Sequence, residues 1–265
     1  MTPAGTAARD PGHELEPSPR WVRVRFGGET VADSKRVMLL REPGRVPVYY
    51  FPRADVRADV LVPVEHAAPC PDRRGAVCWT MRVGDRLAEH AVWERPDGRP
   101  ALRDHVAFEW GKMDAWFEED DEVYVHARDP YKRVDVLHSS RHVRVVVLGA
   151  LVAETRRPWL LFETGLPTRY YLPKADVRMD RLVPTETETR CPYKGVASYY
   201  SVRVGPTVVK DVAWYYRHPI PECGKIENLV CFFNERVDAL YVDGALQPKP
   251  RTRWSAEADP SAPTP

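Results

Sequence analysis

Lys194 stands in the run Arg190-Cys191-Pro192-Tyr193-Lys194-Gly195, where a proline and a glycine bracket a lysine and follow a cysteine. Pro192 restricts Cys191 to extended backbone values, and Gly195 opens a turn conformation that a side chain would oppose. The pattern predicts a tight corner at the mouth of a sheet, with Lys194 held beside aromatic residues. A lysine desolvated there has its pKa lowered and becomes a base or nucleophile, whereas one paired with an acid becomes an anion clamp. Glu154, a single acid between Ala153 and Thr155 at a strand end, is expected to face it. Lys194 and Glu154 are thus the candidate catalytic pair. The plainer alternative is a surface lysine whose stem lies over Tyr193 or Tyr199.

Around this pair the sequence offers candidate ligand-binding residues. Tyr170, Tyr199 and Trp214 belong to a dense set of aromatics suited to a flat or cationic ligand, although most such side chains must serve as core. Asp176 and Arg178 flank one valine, so in an extended segment they share a side, and a salt bridge fastening the loop is the preferred reading. Cys191 needs a partner that favours its thiolate, and Lys194 could serve. Cys70 persists in a second corner, Cys70-Pro71-Asp72-Arg73-Arg74-Gly75, where the single lysine does not, and this favours packing. The five cysteines form no Cys-x-x-Cys pair and no His lies at finger spacing, so no metal and no other cofactor is expected.

The elements that must hold these residues come in two copies. Val31-Ala32-Asp33-Ser34 returns as Val152-Ala153-Glu154-Thr155, and Tyr49-Tyr50-Phe51-Pro52-Arg53-Ala54-Asp55-Val56-Arg57 as Tyr170-Tyr171-Leu172-Pro173-Lys174-Ala175-Asp176-Val177-Arg178. Both lie 121 residues apart, and Trp93 and Trp214 keep the same spacing. Each copy reads as β: Trp21-Val22-Arg23-Val24-Arg25-Phe26 alternates with period two and meets Gly27-Gly28, a hairpin signal. Later runs, including Glu122–His126 set against Ala239–Val242, read as further strands. The acidic stretch from Trp116 reads as a solvated loop, and short helical turns are expected after Pro52 and Pro173. Residues 1–20 and 248–265 are poor in apolar residues and read as disordered tails. The halves are then 21–138, divergent, and 139–247. The fold class is all-β, as two tandem antiparallel barrel-like or tent-like domains with few short helices.

Lys plus Arg number 39 against 38 Asp plus Glu, which removes the main electrostatic argument for nucleic acid. No apolar run approaches the ~20 residues of a bilayer span, so no membrane partner is expected. With an odd cysteine count and no signal-peptide pattern, the expected location is cytoplasmic, with reduced thiols.

Phe26-Gly27-Gly28-Glu29, Val31-Ala32-Asp33-Ser34, the Tyr-Tyr-x-Pro-x-x-Asp-Val-Arg run, the Cys-Pro-x-Lys-Gly corner and Ala213-Trp214 together resemble domain of unknown function 427, also catalogued as a nucleotidyltransferase-like family. The resemblance covers nearly the whole chain as two copies, the second more typical; the first departs at Arg73-Arg74, the second at Asn234, where an acid is expected. It implies a small all-β domain with a barrel-like or tent-like sheet. The nucleotidyltransferase label finds no glycine-serine phosphate motif and no paired-aspartate motif here. The expectation is a small-molecule-binding protein or enzyme with its pocket in the second copy. The alternative is a non-catalytic module presenting aromatic pockets to a partner.

Overall fold

The computed structural model describes residues 14–63, 76–95 and 100–255. The chain divides into two units, Met1–Asp129 and Pro130–Thr264. In the first unit a seven-stranded antiparallel sheet contains β1 (Glu14–Pro17), β4 (Met38–Arg41), β5 (Val48–Pro52), β6 (Leu61–Pro63), β7 (Val77–Val83), β8 (Arg86–Glu94) and β9 (His105–Phe108). Its order is β1-β4-β5-β9-β8-β7-β6. A four-stranded sheet holds β2 (Val22–Phe26), β3 (Glu29–Ser34), β10 (Ala115–Glu118) and β11 (Asp121–Val123), in the order β11-β10-β2-β3.

The second unit repeats this plan. Its large sheet contains β12 (Val134–His138), β15 (Trp159–Glu163), β16 (Arg169–Leu172), β17 (Leu182–Cys191), β18 (Gly195–Val204), β19 (Thr207–Pro219) and β20 (Val230–Phe232). Its small sheet contains β13 (Val143–Val147), β14 (Ala150–Thr155), β21 (Ala239–Val242) and β22 (Ala245–Leu246). The orders, β12-β15-β16-β20-β19-β18-β17 and β14-β13-β21-β22, match the first unit strand for strand. All four sheets are open, so the barrel-like alternative is set aside. The register fixes the spacing of the copies: Val24 pairs with Trp116, and Val145 with Leu240, so the offset grows from 121 to 124 residues across the β19–β20 connection. That connection carries the turn Pro221–Ile226, longer than its counterpart Pro100–Leu102 in the first unit.

Period-two alternation decides which side chains are buried where. Val22, Val24 and Phe26 are buried on β2, as are Val143, Val145 and Val147 on β13. In each unit these residues join one face of the large sheet to form the main core. The other face of the second large sheet gathers Leu161, Tyr171, Ala197, Trp214, Tyr216, Cys231 and Phe233. The expected short turns follow Pro52 and Pro173, at Arg53–Asp55 and Lys174–Asp176.

Several expectations need correction. The stretch from Trp116 is not a loop: Ala115–Glu118 and Asp121–Val123 form a hairpin, and β10, not Glu122–His126, is the counterpart of Ala239–Val242. Acidic side chains masked a strand whose Trp116 is buried. β12 precedes residue 139 and pairs with β15, so the second unit begins earlier than the sequence reading placed it. Glu14–Pro17 pairs with β4 instead of lying in a tail, and residues 248–255 include Trp254, which packs on the second unit. The remainder of both tails, and the Cys70–Gly75 corner, lie outside the described residues. Cys78 is disulfide-bonded, whereas Cys191, Cys223 and Cys231 are free thiols.

Candidate functional site

The corner between β17 and β18 is locked by its backbone. Cys191 pairs with Gly195, the Lys194 N–H donates to the Cys191 carbonyl at 3.3 Å, and the Ile220 N–H donates to the Lys194 carbonyl at 3.1 Å. Gly195 sits at φ +102°, and a Cβ there would lie 3.2 Å from the His218 carbonyl oxygen. Only glycine fits this close approach without strain. The lysine is thereby carried on a rigid base.

Its partner is Glu163, at the end of β15. Lys194 Nζ donates to Glu163 Oε2 at 2.5 Å, and Lys132 Nζ lies 3.1 Å from Oε1. The Glu163 side chain is 4 % exposed and that of Lys194 11 %, so this is a buried pair and not a surface contact. Burial alone would raise the Glu163 pKa, but the two ammonium groups hold it below the usual carboxylate range. Burial likewise pulls on Lys194 in the opposite sense, yet the Cys191 sulfur and the Glu163 carboxylate raise its pKa. Lys194 is therefore a fixed ammonium, not a free amine base. Lys132 also lies 5.2 Å from the centre of the Tyr193 ring. Cys223, whose thiol burial pushes up to about 11, donates to the Tyr193 carbonyl.

Beside the corner lies an aromatic floor. Trp214 Nε1 donates to the Tyr171 hydroxyl at 3.2 Å, and Trp214 packs 4.5 Å from Phe233. Tyr199 stacks on Phe233 at 6.5 Å and shares a hydrogen bond with Thr189. Beneath them Arg169 makes a bidentate pair with Glu235, at 2.6 and 2.7 Å. A strap from the C-terminal segment crosses this floor. Thr252 Oγ1 donates to Glu235 Oε1 at 2.6 Å, and Trp254 lies 6.2 Å from Phe233 and 5.3 Å from the Arg169 guanidinium. Arg253, between them, is exposed, with its guanidinium 4.4 Å from the centre of the Trp254 ring.

The structure brings together Lys194, Cys191, Tyr199 and Trp214, and separates the rest. Glu154 does not face Lys194. It is on the small sheet, half exposed, and pairs with His142 Nε2 at 2.7 Å. Tyr170 is on the same strand as Tyr171, but alternation turns it into the opposite core. Asp176 and Arg178 do not pair with each other, because the turn at Lys174–Asp176 breaks the extended geometry. Asp176 accepts from Thr155 and Arg157, and Arg178 donates to Asp180. Glu154, Asp176 and Arg178 do line one shallow open cavity of about 530 Å³ with Arg181. Three of its charged side chains are already paired, Glu154 with His142, Asp176 with Arg157 and Arg178 with Asp180.

Sequence reasoning missed Glu163, Lys132, Phe233 and the strap. The repeat carried a signal for the first, since Glu42 occupies the same place 121 residues earlier. In the first unit, however, Glu42 meets Arg95 at 3.4 Å, and Val48, Cys78, Arg95 and Glu109 stand where the second has Arg169, Tyr199, Tyr216 and Phe233.

The fold defines a class, all-β proteins built of two tandem domains, and here the second domain carries a buried lysine–carboxylate pair beside an aromatic sheet face. The chain belongs to the family described as domain of unknown function (DUF427), whose family model matches residues 14–119 and 135–243. A comparison with curated proteins gives no match. Among the described residues no group of three or more His, Cys, Asp or Glu is placed to hold a metal ion, and no helix is long and apolar enough to cross a membrane.

Proposed function

We propose that the second unit binds a small molecule at the Cys191–Gly195 corner, with Lys194 acting as a fixed ammonium that orients it. The observation that carries this reading is the buried Lys194–Glu163 pair on a backbone locked by Gly195. A buried ion pair is weak evidence for stability alone, because desolvation offsets its Coulomb energy. A lysine placed only for solubility needs neither burial nor a fixed turn.

If chemistry follows binding, the nucleophile is Cys191. Cys191 is a free thiol in the same corner, and a protonated lysine cannot itself attack. The near-balanced charge supports a small molecule over nucleic acid. The differences between the units support a single site over two equivalent interaction pockets, because the first unit has Glu109 in place of Phe233 and Arg95 in place of Tyr216. We place this activity in the cytoplasm on the three free thiols Cys191, Cys223 and Cys231, although the disulfide at Cys78 is a bond that a reducing compartment rarely keeps.

The test is native mass spectrometry of the purified full chain for a co-purified small molecule, alongside the double variant Lys194→Met/Glu163→Gln. The double change removes both charges of the buried pair together and leaves only the more exposed Lys132 without its carboxylate. The expected result is a bound mass in the wild type that the variant loses while its circular dichroism is unchanged. A ligand retained equally by both proteins would overturn the assignment.

A further inference from the structure

The two units build the same bridge between the small sheet and the segments that follow β5 and β16, but furnish it differently. Ala32 bridges Val56 in the first unit, and Ala153 bridges Val177 in the second. The Arg57 N–H donates to the Val31 carbonyl at 3.0 Å, and the Arg178 N–H to the Val152 carbonyl at 2.8 Å. The two guanidinium groups thus start from equivalent backbone positions. Each holds the aspartate two residues on through Nε and Nη2, Arg57 with Asp59 and Arg178 with Asp180. Their third nitrogens differ. Arg57 Nη1 donates to Glu29, whereas Arg178 Nη1 has no partner among the described residues, because Ala150 stands in the place of Glu29. Leu151 likewise stands where the first unit has Thr30, and Arg181 where it has the buried Val60. Arg181 is half-buried, lines the cavity beside Arg178 and makes no ion pair among the described residues. The first unit therefore shows what the complete arrangement takes on this nitrogen: a carboxylate. The second lacks that carboxylate, gains a cation and has a more apolar wall, and the place is the open cavity of about 530 Å³. Its own acids do not fill the role, since Glu154 and Asp176 correspond to Asp33 and Asp55 and are engaged by His142 and Arg157.

We propose that this cavity is a second ligand site, which takes a small organic carboxylate in the place that Glu29 fills in the first unit. The carboxylate accepts from Arg178 Nη1 and meets the guanidinium of Arg181, a charge-assisted arrangement suited to the planar group. Ala150, Leu151 and Ala175 offer an apolar surface to the body of the ligand. Arg178 already holds Asp180 and the cavity is open to water, so the affinity is modest, in the millimolar range. The site belongs to the small sheet and does not depend on the Cys191–Gly195 corner, so each reading stands or fails alone.

The experiment is an amide-resolved NMR titration of the full chain with isobutyrate, set against isobutyramide as its uncharged isostere and inorganic phosphate as a second anion. Isobutyrate is expected to shift the amides of residues 150–154 and 175–181 saturably, and isobutyramide to leave them in place. Ala150→Glu, which supplies the carboxylate of the first unit, should weaken binding by about tenfold or more, and Arg181→Gln by a similar factor. Arg156→Gln, at an exposed arginine outside the cavity, should leave it unchanged. No saturable shift at these residues in millimolar isobutyrate overturns the proposal. Equal shifts with isobutyramide overturn it too, since they mark apolar contact alone, as does tighter binding of phosphate, which marks a general anion site. Equal weakening by Arg156→Gln and Arg181→Gln has the same force, because it marks a general charge effect. The spectrum of each variant reports its fold. If Ala150→Glu does not fold, Arg181→Gln decides: binding unaltered there overturns the proposal.

Discussion

At the scale of residues, the pairing of Lys194 with Glu163 reverses the chemistry expected of an isolated lysine. Desolvation by itself would give a neutral amine, but a carboxylate at hydrogen-bond distance restores the charge. Replacing Lys194 by Met leaves a buried carboxylate with one partner, Lys132, instead of two. Loss of a buried partner typically costs about 3–5 kcal/mol where nothing replaces it, and Lys132 keeps the loss below that. Lys194→Met is therefore expected to lower stability clearly in urea unfolding, and adding Glu163→Gln to recover most of it. The same pair predicts the pH response. The Glu163 pKa is lower in the folded protein than in the unfolded chain, so its stabilisation is complete above the ordinary glutamate range, about 4.3. It is lost as the pH falls through the depressed folded value. Unfolding midpoints measured from pH 6 down to about pH 2 should fall less steeply in Lys194→Met/Glu163→Gln than in the wild type. Glu235, also depressed by Arg169, adds a separate loss in the same direction.

At the scale of elements, the corner depends on one backbone angle. Gly195→Ala places a Cβ against the His218 carbonyl at a φ that side chains oppose. It should cost about 1–2 kcal/mol and loosen Lys194 as well, which thermal unfolding and ligand titration would both report. Most strands were legible in the sequence because alternation of apolar and polar residues follows directly from the pleat. Alternation also separates Tyr170 from Tyr171, yet both are aromatic and the sequence gives no face to either until the partner strands are known. Glu163 was hidden for a related reason. It ends an apolar strand, Trp159–Glu163, and sits more than thirty positions from Lys194 in the chain, so only the order β15-β16-β20-β19-β18 brings them together. Glu154 was the wrong acid because it belongs to the other sheet. The strap was overlooked because proline and charge dominate residues 248–255, and a single tryptophan anchors them.

At the scale of the whole molecule, the two units share one topology while differing in what they expose on the large sheet. Residues 130–255 contain both sheets of the second unit, Lys132 and the strap. Expressed alone, this segment should melt in one cooperative transition and keep the ligand of the full chain, as calorimetry and titration would show. The shared topology has a consequence for how the chain reaches its native state. Val22-Arg23-Val24-Arg25-Phe26 and Val143-Arg144-Val145-Val146-Val147 each occupy a central position in a four-stranded sheet of the same order. A newly unfolded chain thus holds two near-equivalent strands competing for the same partners, and tandem copies are prone to this kind of cross-assembly. Refolding of the full chain by dilution should give a lower yield than refolding of residues 130–255 alone.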